Sequence, residues 1–129
     1  MKKIWNFTPH QINVIADASF DAAIRKYTAD VDVKVVASIP SDGMLSAKIT
    51  TGDGELVNGN IPTFVKKVTG CDQIPDCVGE DDIIVVSALY VSAFRATYGD
   101  DKRLFTIADP VYTEDGTKIL GSRGICPAF

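Results

Sequence analysis

The stretch IIVVSALYVSAFRATYG, residues 83–99, constrains the fold of this chain more than any other part of it. A short β-branched run ends at Ser87, and apolar residues then recur at helical spacing. Ser87 is a favoured N-cap residue, and Gly99 stands where a helix-terminating glycine is common. The pattern therefore predicts a strand over residues 83–86 that leads directly into a helix over residues 87–98.

The rest of the chain is rich in short segments typical of strands. They alternate apolar and polar residues or are β-branched, and they cover residues 4–7, 12–16, 32–38, 44–51, 61–68 and 104–108. Near the end, Asp115 and Gly116 separate two apolar runs, which predicts a β-hairpin over residues 111–120. Residues 19–29 are compatible with a short helix, because Ser19 can cap it and four apolar residues fall on one face.

Length and composition point to one folded domain covering residues 1–129. Hydrophobic residues make up 46% and charged residues 23% of the chain, as in ordinary globular proteins. We therefore expect an α+β fold with a twisted, mixed and mainly antiparallel sheet. The helix over residues 87–98 is expected to pack on one face of that sheet, and the chain is expected to end in a β-hairpin.

The charge of the chain limits the partners it can bind. Lys and Arg number 13 against 17 Asp and Glu, which gives a net charge of −4. Long nucleic acid is bound largely through Lys and Arg on phosphates, so it is not expected here, whereas a small anionic ligand needs only a local pocket. No apolar stretch reaches the length of a membrane span, and the N-terminal segment lacks the apolar core of a signal peptide. We therefore expect a cytoplasmic protein without a membrane partner.

Cysteine and histidine are too few to predict a metal or a cofactor. The chain has three cysteines, Cys71, Cys77 and Cys126, and a single histidine, His10, which is far from them in sequence. We expect free thiols, no metal centre and no cofactor. The acidic run over residues 80–82 could offer oxygen ligands to a cation, but a solvated loop is the commoner role of such a run.

Two segments early and midway along the chain carry side chains suited to binding or catalysis. In the first, Thr8 and Pro9 precede His10, whose residue type exchanges protons near neutral pH. His10 could be a general base or bind a ligand, or it could be a structural residue of a turn. In the second, the Ser87 hydroxyl and the N–H groups from Ala88 onward could hold a phosphate at the positive end of the helix, or Ser87 could simply cap that helix.

A third segment, Gly121-Ser122-Arg123-Gly124, lies close to the end of the chain. The planar fork of Arg123 suits a phosphate or a carboxylate, and a flanking glycine such as Gly124 lets a ligand approach the backbone. The alternative is an arginine on an edge strand near a bulge. The chain contains neither G-x-G-x-x-G nor G-x-x-x-x-G-K-[ST] nor G-x-S-x-G, so a dinucleotide fold, a P-loop and a serine-hydrolase elbow are unsupported.

The segments NFTPHQINVI, DDIIVVSALYVSAF and DPVYTEDGTKILGSRGI, in this order, resemble segments of a family of small, mostly uncharacterised proteins of phages and bacteria. Members of that family open with N-L-T-P-H-x-I, carry I-V-S-x-L-V-A-x-A after a loop, and close with D-E-x-G-R-I-V-G-C-R-G-L. The resemblance places Thr8, His10, Ser87 and Arg123 on these motifs, whereas Ser122 stands where the family often has Cys. It implies a phage or prophage setting, in which small acidic proteins often act on host defence.

We therefore expect a phage or prophage protein that sequesters a small anionic, nucleotide-type molecule in the host cytoplasm and could thereby counter host defence. The residues expected to converge on its pocket are Thr8, His10, Ser87, Ala88, Arg123 and Gly124. One alternative is a hydrolase or phosphodiesterase of small nucleotides that uses His10, and another is a protein-binding inhibitor or a structural phage protein. A homodimer is expected, because a closed symmetric dimer is the commonest assembly.

Overall fold

The computed structural model describes residues 2–129, and this part of the chain forms one helix and twelve strands in three sheets. The helix is α1 (Ala88–Tyr98). The strands are β1 (Ile4–Asn6), β2 (Ile12–Val14), β3 (Ser19–Asp21), β4 (Lys26–Ala29), β5 (Ala37–Ile39), β6 (Ala47–Asp53), β7 (Phe64–Cys71), β8 (Ile83–Val85), β9 (Leu104–Ile107), β10 (Pro110–Thr113), β11 (Ile119–Ser122) and β12 (Ile125–Pro127). The expected α+β fold is confirmed, although its strands divide among three sheets instead of one.

The predicted strand over residues 83–86, helix over 87–98 and strand over 104–108 form a strand–helix–strand unit, whose two strands lie at the centre of a four-stranded sheet. The strand order is β1–β8–β9–β12, with β1, β8 and β9 parallel to one another and β12 antiparallel to β9. Ser87 caps α1, and at its other end the N–H of Gly99, with a φ of 90°, donates to the Arg95 carbonyl at 3.1 Å. Both ends of the helix are therefore where the cap residues predict them.

The larger hydrophobic core joins this sheet to the inner face of α1. Tyr90, Ala93 and Phe94 of the helix share one buried cluster with Ile84 and Leu104 of the sheet. Burying a large apolar side chain contributes roughly 1.5–3 kcal/mol. This packing holds the helix against the sheet, so the first turn of α1 stands at the end of β8.

A six-stranded sheet has the order β3–β4–β10–β11–β2–β5. Its centre is the antiparallel pair β10–β11, which is the predicted C-terminal hairpin with Asp115 in its turn. The pairs β4–β10 and β11–β2 are parallel. A second, smaller core of Ile15, Ala29 and Val111 lies against this sheet.

Strands β6 and β7 form a separate two-stranded antiparallel ribbon. We call residues 47–71 the β6–β7 arm. Its tip is closed by a bridge between Val57 and Ile61, with positive φ at Asn58 (52°) and Gly59 (75°). The arm therefore has the turn that the Asn-Gly pair favours, and it joins the body only where β6 begins and β7 ends.

The prediction of a short helix over residues 19–29 is wrong. This segment is the hairpin β3–β4, and Arg25 in its turn has a positive φ of 56°. Phe20 and Tyr27 face each other across the hairpin with ring centroids 5.2 Å apart. Because β4 also pairs with the distant β10, tertiary hydrogen bonding overrides a local spacing that suits a helix.

The strand expected over residues 32–38 is misplaced. Only Ala37–Ile39 pairs with β2, because Asp30 starts a turn in which its side chain and carbonyl accept the amides of Asp32 and Val33. A run of β-branched residues is therefore not sufficient for a strand when an Asx turn competes for the same backbone. Similarly, β6 and β7 each begin three residues later than predicted.

Candidate functional site

The candidate site lies at the carboxyl edge of the parallel strands β1 and β8. Asn6 pairs with Val85, and the N–H of Phe7 donates to the Val85 carbonyl at 2.9 Å, so the two strands leave the sheet side by side. Thr8 then follows Phe7 in the first segment, and Ser87 follows Val86 in the second. This edge of parallel strands is where open α/β sheets place ligands, and the parallel pairing explains why residues so far apart in sequence are neighbours.

Asn6 builds the corner that follows β1, a role that we did not predict from the sequence. Its side chain is fully buried, and Nδ2 donates to the carbonyls of His10 (2.8 Å) and Ile39 (3.1 Å). Its Oδ1 accepts from the backbone N–H of Thr8 at 3.0 Å and from the Thr8 hydroxyl at 2.6 Å. The Thr8 hydroxyl is therefore engaged within the corner and is not an activated nucleophile.

A groove of about 220 Å³ opens between this corner and the start of α1. We call it the helix-start groove, and its lining residues are Phe7, Thr8, Pro9, Met44, Leu45, Ser46, Ala47, Ser87 and Leu89. None of these residues carries a charged side chain. The groove is thus a mixture of apolar walls and hydroxyl groups, placed in a chain whose net charge is −4.

The start of α1 gives the groove its electrostatic character. Ser87 has an extended backbone, and its Oγ accepts the N–H of Tyr90 at 3.1 Å. The first N–H groups of a helix, here those of Ala88 and Leu89, have no carbonyl of the same helix to bind. The first turn holds no acidic residue, so the positive end of the helix dipole is not neutralised by a side chain.

His10 lies outside the helix-start groove. It is exposed and lines a second cavity of about 260 Å³, together with Gln11, Ile12, Asn13, Ile107, Pro110, Ile119, Gly121 and Ser122. In the described part of the chain the ion pairs involve Arg95, Arg103 and Arg123, and none involves His10. The imidazole therefore lacks the carboxylate partner that commonly orients a catalytic histidine.

Arg123 and Gly124 also lie outside the groove. The Arg123 guanidinium pairs with Asp109 at 3.1 Å and sits over the ring of Tyr27, with its Cζ 4.2 Å from the ring centroid. The Gly124 carbonyl accepts from the Ser122 hydroxyl at 3.1 Å. Of the six predicted site residues, Thr8 and Ser87 line the groove, and Ala88 follows Ser87 as the first residue of α1. The structure does not bring the other three into the same groove.

Asp82, the last residue of the acidic run, links β1 to the loop that precedes β8. The carboxylate of Asp82 accepts the indole N–H of Trp5 (3.0 Å), the amide of Gly79 (2.8 Å) and the amide of Lys3 (3.1 Å). These hydrogen bonds, that of Trp5 above all, keep the pKa of Asp82 below its usual range. Within residues 2–129, no group of three His, Cys, Asp or Glu side chains is arranged to hold a metal ion.

The buried thiol and phenol near α1 are not activated groups. Burial raises the pKa of Cys71, so a smaller fraction of this thiol is ionised at neutral pH. Burial likewise raises the pKa of Tyr90, whose hydroxyl donates to the Asp72 carbonyl at 2.7 Å. Neither side chain is therefore suited to serve as a nucleophile at the groove.

No helix within residues 2–129 is both long and apolar enough to cross a bilayer. Comparison with protein-family models, with curated proteins and with solved structures gives no match for this chain. A proposal on function therefore rests on the geometry and charge of the helix-start groove.

Proposed function

We propose that this chain is a phage or prophage protein that sequesters a small anionic, nucleotide-type ligand in the helix-start groove. One observation carries the proposal: the N-terminus of α1, whose first turn holds no acidic residue, opens into a groove whose lining residues include no carboxylate. Helix N-termini favour phosphate and other anions, through their free N–H groups and through the dipole. No carboxylate lines this groove, and the carboxylate of Asp72, which is close to it, is occupied by the Ser46 amide at 2.8 Å.

The lining residues suit the two parts of a nucleotide. The N–H groups at the start of α1, those of Ala88 and of the lining residue Leu89, would bind phosphate oxygens, and the hydroxyl groups of Ser46 and Ser87 also line the groove. The apolar side chains of Met44, Leu45 and Leu89 would contact a base or a ribose. A negative net charge disfavours long nucleic acid without preventing the binding of one or two phosphates.

Sequestration is better supported than conversion of the ligand. Within the groove, the Thr8 hydroxyl is bound to Asn6, and the Ser87 Oγ caps the helix. Neither is next to a base, which nucleophilic catalysis requires. The hydrolase alternative relies on His10, which lines a different cavity.

We further propose that the protein acts in the host cytoplasm as a homodimer and could there counter host defence. The support for a dimer is the amount of apolar surface that a single chain leaves exposed, especially on the β6–β7 arm. The same surface favours the second candidate function, a protein-binding inhibitor, in which the arm would contact a host protein. Self-association of the purified chain would favour the homodimer, whereas a purified chain that stays monomeric would favour the protein-binding inhibitor.

Ligand binding is tested by thermal unfolding in the presence of inorganic phosphate, ADP-ribose and a cyclic nucleotide. A ligand present at about 100 times its dissociation constant should add about 3 kcal/mol of stability. Mass spectrometry of the same mixtures shows whether the ligand is returned unaltered, as sequestration requires. Conversion of the ligand that disappears in a His10→Ala variant would instead support the hydrolase.

Ser87 offers a matched pair of variants for this test. Asn and Asp are both good N-cap residues, so Ser87→Asn and Ser87→Asp should both fold. Ser87→Asp should weaken anion binding more than about a hundredfold, since like charges about 4 Å apart near a protein surface repel by about 4 kcal/mol. Ser87→Asn should bind nearly as the native chain does. Equal binding by both variants, or no stabilisation by any of the probes, would refute the proposed site.

A further inference from the structure

The β6–β7 arm is an extended structure with little cover from the rest of the chain. Every residue from 48 to 69 is exposed, apart from the partly buried Thr63. The arm meets the body at its base, where Cys71 is buried in the larger core and Ala47 packs against it. An isolated two-stranded ribbon is only marginally stable in water, so this length of unsupported ribbon requires an explanation.

One face of the arm carries three large apolar residues, alongside Thr51, Lys66 and Asp53, whereas Val65 is the one large apolar residue among the Thr50–Lys67 and Gly52–Val65 pairs of the other face. Ile49 pairs with Val68, and Phe64 pairs with Asp53 on the same face, because residues two apart along a strand point to the same side. The exposed fractions are 41% for Ile49, 45% for Val68 and 62% for Phe64. We call Ile49, Phe64 and Val68 the apolar face of the arm. The tip extends it, since Leu56, Val57 and Ile61 are also exposed.

The chain as a whole exposes more surface than a monomer of its size. Its accessible surface is 8493 Å² for a mass of 13.9 kDa. Folded monomers of this mass expose about 6,700 Å² on the usual scaling with mass. The difference, about 1,800 Å², is more than the roughly 800 Å² that each partner buries in a standard stable interface. The exposed surface is thus sufficient for a large interface with another protein.

The charge of the arm is opposite to that of the rest of the chain. Residues 47–71 contain three lysines, Lys48, Lys66 and Lys67, against Asp53 and Glu55, so their net charge is +1. Since the whole chain carries −4, the remainder carries −5. An arm from one copy is therefore complementary in charge to the body of another, and complementary potentials favour correct docking.

We infer that the apolar face of the β6–β7 arm docks on the body of a second copy of this chain, reciprocally, and that this contact forms the homodimer. Three observations support a second copy as the occupant. They are the surface area in excess of that of a monomer, the exposed apolar face of the arm, and the opposite charges of arm and body. The inference rests on the homodimer of the proposed function and is independent of the proposed ligand. Two copies related by a twofold axis bury both arms at once, which leaves no arm free for further growth.

The test compares two variants that place the same kind of charged pair on opposite faces of the arm. Ile49→Lys with Val68→Glu puts Lys opposite Glu on the apolar face. Thr50→Glu puts Glu opposite the native Lys67 on the other face, since Thr50 pairs with Lys67. Opposite charges across an antiparallel pair preserve the ribbon, and all three altered positions are exposed in the single chain, so both variants should fold.

Solution mass is measured by light scattering during size exclusion at micromolar chain concentration. We expect the native chain and Thr50→Glu to have twice the 13.9 kDa mass of one chain, and the Ile49→Lys, Val68→Glu variant to have that of one chain. Phosphate-dependent stabilisation should persist in this variant, so loss of the dimer and loss of the groove are distinguished. A native chain that is monomeric, including one that binds a host protein or sediments with anionic vesicles, would overturn the inference. So would a dimer that withstands the double substitution.

Discussion

At the scale of single residues, the Thr-Pro-His motif forms a structural corner, and its first two residues, Thr8 and Pro9, also line the helix-start groove. The organising residue is Asn6, whose side chain makes hydrogen bonds to Thr8, His10 and Ile39. The sequence predicts Thr8 and Ser87 as site residues because each belongs to a recognisable motif. It does not reveal Asn6, since one polar residue at the end of a strand is usually exposed, whereas this one is fully buried.

Asn6→Ala should destabilise the protein by about 3 kcal/mol, because buried groups left without a partner cost about 1–3 kcal/mol each. The substitution removes the partners of the Thr8 amide and of the carbonyls of His10 and Ile39. The free energy of unfolding in urea measures this loss. Asn13→Ala is the control, because Asn13 makes exposed hydrogen bonds to Gln11 and Ser38. Equal losses in the two variants would contradict the role given to Asn6.

Arg123 shows a different limit of residue-level prediction. Its position between glycines suggests a cation available to a ligand, but in the fold it contacts Asp109 and Tyr27. Tyr27 belongs to the β3–β4 hairpin, a segment for which the sequence predicts a helix. The error in that element therefore conceals one of the two partners of the arginine.

At the scale of elements, local patterns predict those parts of the fold that local interactions stabilise. The unit β8–α1–β9 is recovered because Ser87, Gly99 and the helical spacing between them all agree. The hairpin β10–β11 is recovered from Asp115-Gly116. The pairings β4–β10 and β11–β2 are not, because they join segments that are distant in sequence and whose register depends on the whole sheet.

Gly121→Ala tests one of these distant pairings. A Cβ at Gly121 would overlap with the Asn13 carbonyl oxygen, where β11 passes β2. Because backbone atoms on both sides must move, we expect a loss of about 1–3 kcal/mol of stability, typical of overpacked sites. Gly52→Ala in the exposed arm is the control, since its nearest atom is the Val65 oxygen at 4.0 Å. Urea unfolding of the two variants compares them, and a Gly121→Ala protein as stable as Gly52→Ala would exclude the close approach.

The turn of the β10–β11 hairpin should respond to acid. The carboxylate of Asp115 accepts hydrogen bonds from the side chains of Thr113 and Thr117 and from the Thr117 amide, and its pKa is lowered to about 2. An unfolded Asp has a pKa of about 3.9. The folded pKa is the lower one, so the stabilisation is complete above about pH 4 and is lost as the pH falls through about 2.

This pH dependence can be measured by NMR. The carboxyl carbon of Asp115 should titrate near pH 2, and exchange protection of the Thr117 amide should fall over the same range. Asp115→Asn removes the titrating group, so its Thr117 amide should show no such step. Titration of Asp115 near pH 3.9, the value for a free Asp, would contradict these hydrogen bonds.

At the scale of the whole molecule, two buried cores account for the body, and neither includes the exposed length of the β6–β7 arm. The sequence predicts the two strands of the arm, over residues 44–51 and 61–68, but it does not predict their isolation from the other sheets. Alternation of apolar and polar residues predicts a ribbon with one buried face, and it does not state which molecule covers that face. In this chain, residues 48–69 leave the face open, which is why the second copy has to be inferred from surface area and charge.

Thermal stability should therefore depend on chain concentration. In a dimer that unfolds to separate chains, a tenfold increase in concentration is worth about 1.4 kcal/mol per dimer. For a unit of this size, that should raise the Tm by about 3 °C. Calorimetry at several concentrations should show this rise for the native chain and for Thr50→Glu, and a constant Tm for the Ile49→Lys, Val68→Glu variant. A constant Tm for the native chain would mean that the arm is uncovered in solution, and that Ile49, Phe64 and Val68 are stable in water without a partner.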